Sequence, residues 1–295
     1  PDPPVSGSPV MAREVFRQLR RAEAELQRTW EGPPAELADQ RRRLRLNLLR
    51  QHLDSALGSL RARHAKGASG QESVQAHAGF MDRFLHQLFA LASEEALREG
   101  LERQTIVLVA LGGYGRGELH PSSDIDVMVI YDGELGPYVQ RITQELLYTL
   151  WDLGLQVGHS CRSLPDCLAM ARTDFPSRTS MQEARYVAGD RLLFRRFGKV
   201  LRENLYRKDF AGFLETALGE RDQRYRKFGA SPYIGEPNVK ESAGGLRDIH
   251  TAMWLAKVKY KVKDMGELVV KGVISERERA EIEASQDFLF RVRNA

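Results

Sequence analysis

The residues of this chain best suited by type and spacing to chemistry are Asp124 and Asp126. One residue separates them, so on an extended segment both carboxylates point to the same face while Ile125 turns into the core between them. Ahead of them Gly112, Gly113, Gly115 and Gly117 leave the backbone free to take positive φ and let a ligand approach the main chain, and Ser122 and Ser123 add donors. A loop of this kind can wrap phosphates. Two carboxylates on one face beside it suggest a divalent metal.

The elements that must hold these groups are two apolar runs, residues 106–111 and 127–131, each of strand length and bounded by turn residues. Their unbroken apolar character predicts neighbouring buried strands, not edge strands. A glycine-rich turn or an Asp-x-Asp pair is common when taken singly. The order strand, Gly-Gly, short loop, Asp-Ile-Asp, strand is far more specific, because it puts both halves of a metal and triphosphate site in one hairpin-sized unit. Two other phosphate motifs do not apply. The G-x-x-x-x-G-K-[ST] loop is missing, and a dinucleotide fingerprint opens a helix directly, whereas this loop is read as leading into another strand.

This arrangement resembles the nucleotidyltransferase superfamily that includes DNA polymerase β, in which Gly-Gly or Gly-Ser is followed by Asp-x-Asp. The fuller string from Ala110 to Pro121, with Asp124-Ile125-Asp126, is similar more narrowly to the bifunctional uridylyltransferase/uridylyl-removing enzymes of bacterial nitrogen signalling. The same similarity extends to Val157-Gly158-His159-Ser160, to Glu183-Ala184-Arg185 and to the run from Glu236 to Asp248, so that it covers residues 67–295. From composition alone the run from Glu236 to Asp248 reads as a surface turn ahead of a helix.

The resemblance implies an α+β fold of polymerase β-like type, a small mixed sheet with helices, flanked by an N-terminal helical arm and a C-terminal all-helical domain. It implies transfer of UMP from UTP to a tyrosine hydroxyl of the PII signal protein, with pyrophosphate leaving. In that reading Asp124 and Asp126 are catalytic and hold Mg²⁺ or Mn²⁺, while Gly112, Gly113, Gly115, Arg116 and Ser123 bind the nucleotide. Lys240 and Arg247 would neutralise triphosphate charge. The alternatives are the same fold with another acceptor or nucleotide, and a non-catalytic nucleotide-binding regulatory module. The superfamily usually carries a third carboxylate on the next strand. Gly158, His159 and Ser160 stand there instead, so no third ligand is assigned, and His159 is open between metal ligand, substrate contact and simple strand-end hydrogen bonding.

Around this centre, residues 11–66 have apolar positions such as Leu49, Leu53 and Leu57 at helical spacing, broken by Gly32-Pro33-Pro34, and predict a helical arm. By resemblance the arm packs on the catalytic domain. The run Arg41-Arg42-Arg43-Leu44-Arg45 reads as a solvated helix face. Gly67 to Ser73 is a linker or a helix–helix turn before a helix with Phe80, Phe84, Leu88 and Leu91. Residues 137–153 predict a helix ended by Gly154, and residues 155–160 a third strand, before Ser163-Leu164-Pro165-Asp166 opens another helix. From Pro176 onward the pattern is almost wholly helical, with helices over 190–206, 209–228 and 246–260 and a last one opened by a Ser275-x-x-Glu278 capping box. The expected domains are a helical arm over 1–72, a nucleotidyltransferase domain over 73–174 and a helical nucleotide-cleft domain over 175–295.

At 295 residues and 42% hydrophobic, the chain is long enough for two packed domains. Its 44 Lys and Arg against 40 Asp and Glu are too small a surplus to demand a nucleic-acid partner. Cys161 and Cys167 form neither a disulfide framework nor a metal-ligand spacing, which fits a reducing cytoplasm. No run has the length of a membrane span, and the start lacks the character of a signal peptide. In the resembling family an HD-type phosphohydrolase domain and two ACT domains follow. This sequence has no His-Asp dipeptide, so the chain is expected to carry at most the transferase half, without uridylyl removal or direct glutamine sensing.

Overall fold

A computed structural model describes residues 9–206, 210–229 and 238–295. Glu236 and Pro237 of the run singled out above lie outside the described residues. In chain order the elements are α1 (Pro9–Thr29), α2 (Pro34–Ala65), α3 (Gly70–Arg98), β1 (Ile106–Ala110), the single turn α4 (Gly112–Gly115), β2 (Val127–Tyr131), α5 (Pro137–Asp152) and β3 (His159–Ser163). There follow α6 (Leu164–Thr173), α7 (Phe175–Gln182), β4 (Arg185–Gly189), α8 (Arg191–Leu201) with a π-helical turn over Arg202–Tyr206, α9 (Phe210–Phe228), α10 (Leu246–Tyr260), α11 (Met265–Val270) and α12 (Glu276–Asn294). The class is α+β, as expected. Among the described residues no helix is long and apolar enough to cross a membrane.

The four strands lie in the order β3-β2-β1-β4. β1 pairs antiparallel with β2, Ile106 opposite Tyr131 and Ala110 opposite Val127, so the two apolar runs are the two inner strands and every residue of both is buried. β3 pairs parallel with β2 and begins at His159, later than the 155–160 run predicted. A parallel neighbour needs a crossover, and α5 supplies it. β4 was not foreseen in the helical stretch after Pro176. It is an edge strand, antiparallel to β1, with only Val187 and Ala188 buried.

Contacts divide the described chain into two compact units, the first comprising residues up to Ala68, Ser73–Ser163 and Arg185–Phe194, the second Ser69–Glu72, Leu164–Ala184 and Arg195–Ala295. β4 therefore belongs with the sheet, although it follows position 174. In the first unit one face of the sheet, with Leu108, Val127 and Val129, shares a core with Phe80, Phe84 and Leu88 of α3 and Ile142 and Leu146 of α5. Leu49 and Leu53 of α2 and Phe16 and Leu19 of α1 extend the same core, so the arm packs and does not hang free. The Gly67 to Ser73 stretch is a helix–helix turn: Ser69 Oγ accepts from the N–H of Glu72, whose carboxylate accepts from the N–H of Ser69. In the second unit Phe213 of α9 packs with Trp254 and Val258 of α10. The capping box at Ser275 and Glu278 forms as predicted.

The basic run of α2 is solvated at Arg42 and Arg43, as expected, but its last arginine is not. Arg45 is 7% exposed. Its Nε donates to Glu23 of α1 (2.8 Å), its Nη1 to Glu95 of α3 (3.0 Å) and Glu145 of α5 (3.0 Å), and its Nη2 again to Glu95. One guanidinium thus ties four helices, and burying it is tolerable because each donor finds a carboxylate. Burial alone would raise the Glu145 carboxyl, but the hydrogen bond from Arg141 and the charges of Arg45 and Arg141 outweigh it and hold it below its ordinary value. A carboxyl depressed in the fold contributes stability above its unfolded value and loses it as pH falls through the folded one. Arg45→Met should therefore cost about 3–5 kcal/mol at neutral pH, because three largely buried carboxylates each lose a hydrogen-bonded cation. The gap from wild type should narrow on acidification toward about pH 4 as the carboxyls protonate. Urea unfolding at several pH values checks this. A loss under about 1 kcal/mol, or a gap that widens in acid, contradicts it.

Candidate active site

The stretch leading into β2 is clamped on both sides. On one, Leu111 N–H donates to the Asp126 carbonyl (2.9 Å); on the other, Ile125 N–H donates to Gln156 O (2.9 Å) and Val127 N–H to Gly158 O (2.8 Å). Held extended, the segment alternates as its sequence requires: Asp124 is exposed, Ile125 is 3% exposed and joins the core with Val127, and Asp126 is half-buried. Both carboxylates therefore leave the face opposite the α3 and α5 core.

Gly158 is the reason that Asp126 has room there. A Cβ built at Gly158 would overlap a carboxylate oxygen of Asp126. His159 pairs with Val127 in the parallel ladder, so alternation turns it to the face away from Asp126, where its ring meets Trp151 edge-on at 5.5 Å. That argues against His159 as a partner of the carboxylates in holding a metal. Among the described residues no group of three or more His, Cys, Asp or Glu side chains gathers to hold an ion. Two hard oxygen donors on one face still suit Mg²⁺, which is commonly held through one or two carboxylates with substrate phosphates completing the shell.

The glycine segment differs from the open turn expected. β1 runs straight into the helical turn α4, closed by Gly115 N–H to Leu111 O (2.7 Å) and Arg116 N–H to Gly112 O (3.1 Å). Positive φ occurs at Gly112 (53°) and Gly117 (78°) and not at Gly113 or Gly115. Gly113 is constrained by space instead, since a Cβ there would lie 3.3 Å from Glu118 O. Arg116 donates from Nε to Glu118 (2.6 Å), and Ser123, half-buried, donates its N–H to His120 O (3.1 Å).

Three residues that sequence reasoning did not assign hold this turn. Tyr114 is 1% exposed and its hydroxyl donates to Asp82 (2.7 Å). Arg185 pairs with the same carboxylate and donates to the carbonyls of Gly115 (3.1 Å) and Tyr114 (2.8 Å). Burial, then the charge of Asp82, pushes the Tyr114 hydroxyl well above its ordinary value, so it stays a donor. The only sequence signal was the string Glu183-Ala184-Arg185, which had no strand to place it.

Of the predicted site residues, Gly112, Gly113, Gly115, Arg116, Ser123, Asp124 and Asp126 belong to the first unit, and Lys240 and Arg247 to the second. Lys240 and Arg247 share one carboxylate: Arg247 donates twice to Glu241 (3.1 and 3.3 Å), and Lys240 Nζ lies 3.5 Å from it. Burial, then the charge of Arg247, lowers the Lys240 ammonium below its ordinary value. The backbone around them is tightly built. Asn238 Oδ1 accepts the N–H groups of Lys240 (3.0 Å) and Glu241 (2.9 Å), and a Cβ at Gly245 would come within 3.0 Å of three carbonyls. The reading of a plain surface turn is thus too weak for the described part of this run.

Residues 56–161 match the model of a family described as putative nucleotidyltransferase DUF294, and residues 212–295 that of a family described as GlnD PII-uridylyltransferase. A bifunctional uridylyltransferase/uridylyl-removing enzyme of Azospirillum brasilense is 38% identical over 251 residues, 83% of this chain and 26% of the relative. One of the same name from Bradyrhizobium sp. is 36% identical over 252 residues, 84% of this chain and 27% of the relative. The chain spans about a quarter of the length of these curated relatives.

The contact between Gly158 and Asp126 makes a prediction that the carboxylates alone do not. Gly158→Ala should leave the thermal midpoint within a few degrees of wild type but displace the Asp126 carboxylate, lowering turnover by about a hundredfold, the cost of a misplacement near 1 Å. Calorimetric Mn²⁺ binding and turnover, measured together, check it. Unchanged binding and turnover in the folded variant would mean that Asp126 does not work from this position.

Proposed function

We propose that this chain, which belongs with the bifunctional uridylyltransferase/uridylyl-removing enzymes over the part of them that it matches, is a metal-dependent nucleotidyltransferase. The proposed reaction transfers UMP from UTP to a tyrosine hydroxyl of a PII-type signal protein. The acceptor oxygen, its proton lost to solvent, attacks the α-phosphorus in line, the bond from that phosphorus to the bridging oxygen breaks, and pyrophosphate leaves with that oxygen. The observation that carries the reading is the pair Asp124 and Asp126 on one face of a clamped segment, beside the glycine turn that Leu111 joins to it.

In this reading Asp124 and Asp126 hold Mg²⁺, with Mn²⁺ a substitute. A cation bound there would polarise the reacting phosphoryl oxygen and offset charge on the leaving group. The Gly112 to Gly117 loop, with Arg116 and Ser123, binds the β- and γ-phosphates. Lys240 and Arg247 are proposed to offset nucleotide charge, and burial, then the charge of Arg247, lowers the Lys240 ammonium. The residues contribute position and fixed charge, which is most of what phosphoryl transfer asks of a protein. The division into an arm over 1–72, a catalytic domain over 73–174 and a cleft domain over 175–295 is proposed as a division of labour, with β4 lent back to the catalytic sheet.

Asp124→Asn and Asp126→Asn should each lower transfer by at least roughly a hundredfold, by analogy with the loss of one electrostatic stabiliser. Neither carboxylate packs in the core, so both variants should fold. Magnesium-dependent pyrophosphate release with a purified PII protein is the assay, and near wild-type turnover in either variant removes that residue from the mechanism. Gly113→Val, which crowds the Glu118 carbonyl, should weaken UTP more than it weakens folding. Unchanged UTP affinity in that variant would make the turn merely structural.

A further inference from the structure

Arg185 arrives beside the glycine turn through a fault in the sheet. Pairing of β4 with β1 begins regularly, Val107 opposite Gly189 and Leu108 opposite Ala188, then shifts, so that Val109 faces Tyr186 and Ala110 faces Arg185. Unbroken pairing would have set Tyr186 opposite Ala110. The extra residue, Val187, moves the arginine into that place, and re-aiming a side chain is what an irregularity of this kind does. Ala110 is the last residue of β1, two before the turn begins.

From there the guanidinium makes three attachments. It takes the carbonyls of Tyr114 (2.8 Å) and Gly115 (3.1 Å), and pairs with Asp82 of α3. The last carbonyls of a helical turn have no partner inside it; here Tyr114 O also accepts the N–H of Gly117 (3.0 Å), and Arg185 is the donor that reaches both carbonyls from a distant strand. Asp82 closes the circuit by accepting the Tyr114 hydroxyl (2.7 Å), and the Tyr114 ring lies 5.2 Å from the guanidinium carbon. A connecting turn needs no such support. A planar fork with several fixed donors suits this task, and an ammonium does not replace it.

We infer that Arg185 is a positioning residue which, with Asp82 and Tyr114, holds the Gly112–Gly115 turn in the arrangement that receives the terminal phosphates of a nucleoside triphosphate. The inference rests on the reading of that turn as the phosphate loop. It deepens that reading by assigning the recognised part: the pyrophosphate moiety, whatever the base. Arg185 touches no substrate in this scheme: each of its three nitrogens already donates to a protein carbonyl or carboxylate.

The test uses the full chain and two probes, magnesium pyrophosphate and UMP, with affinities measured by calorimetry and folding by thermal unfolding. Arg185→Gln and Arg185→Lys should each weaken pyrophosphate by at least about tenfold, roughly the loss of one well-made contact, and leave UMP unchanged. Tyr114→Phe, which deletes only the hydroxyl bonded to Asp82, should cause a smaller loss of the same kind. Wild-type pyrophosphate affinity in Arg185→Gln, full rescue by Arg185→Lys, or an equal loss for UMP would each overturn the inference. If Arg185→Gln does not fold, Tyr114→Phe decides: pyrophosphate affinity equal to wild type in that folded variant overturns it. A wild-type chain that binds no pyrophosphate defeats the phosphate-loop reading itself, whereas one that binds it equally in all variants defeats only the role of Arg185.

Discussion

Everything proposed for this chain depends on one short piece of extended backbone, residues 124–127, kept straight by hydrogen bonds on both edges. Alternation in extended chain is strict: if Ile125 is in the core, Asp124 and Asp126 are out of it, and on the same face. A slip of one residue would bury two carboxylates and expose an isoleucine, which costs far more than the site could return. The hydrophobic core thus fixes the geometry of the polar site. The pairing of β1 with β2 and the carbonyls of Gln156 and Gly158 hold that register from opposite sides.

The remaining parts of the first unit are arranged behind this strip. α3 and α5 cover the inner face of the sheet, and the arm covers them in turn. Arg45 joins α2 to α1, α3 and α5 through three carboxylates, so the helical layers are held in one register by a polar contact as well as by apolar packing. Such a buried cluster adds little stability over a well-packed apolar substitute, but it penalises any arrangement that leaves one of its members unpaired. α3 also supplies Asp82 to the turn, so the helix that carries the core likewise carries part of the loop's support.

Legibility in the sequence followed the range of the interactions involved. The inner strands, α10 and the Ser275 capping box were readable because their signals are local: apolar runs, a 3.6-residue period and a Ser-x-x-Glu spacing. β4 was not, because an edge strand with two buried residues between helices has almost no pattern of its own. The burial of Arg45 was also hidden, since its partners stand 22, 50 and 100 residues away. The four glycines suggested an open turn, yet the chain closes one helical turn over Gly112–Gly115, supported by Arg185 and Asp82 from distant parts of the chain. The family resemblance covered Gly158 without explaining it. The reason is the space that Asp126 occupies.

The most direct measurement is the position of a metal beside a bound nucleotide. Crystals of the chain grown with Mn²⁺ and a UTP analogue that cannot be cleaved between the α- and β-phosphates would locate the ion by its anomalous scattering. The expected result is a manganese peak about 2 Å from oxygens of both Asp124 and Asp126, an oxygen-ligand distance typical of small divalent cations, with the triphosphate against the Gly112 to Gly117 loop. A nucleotide bound with its metal elsewhere, or with neither aspartate touching an ion, would contradict the proposed site.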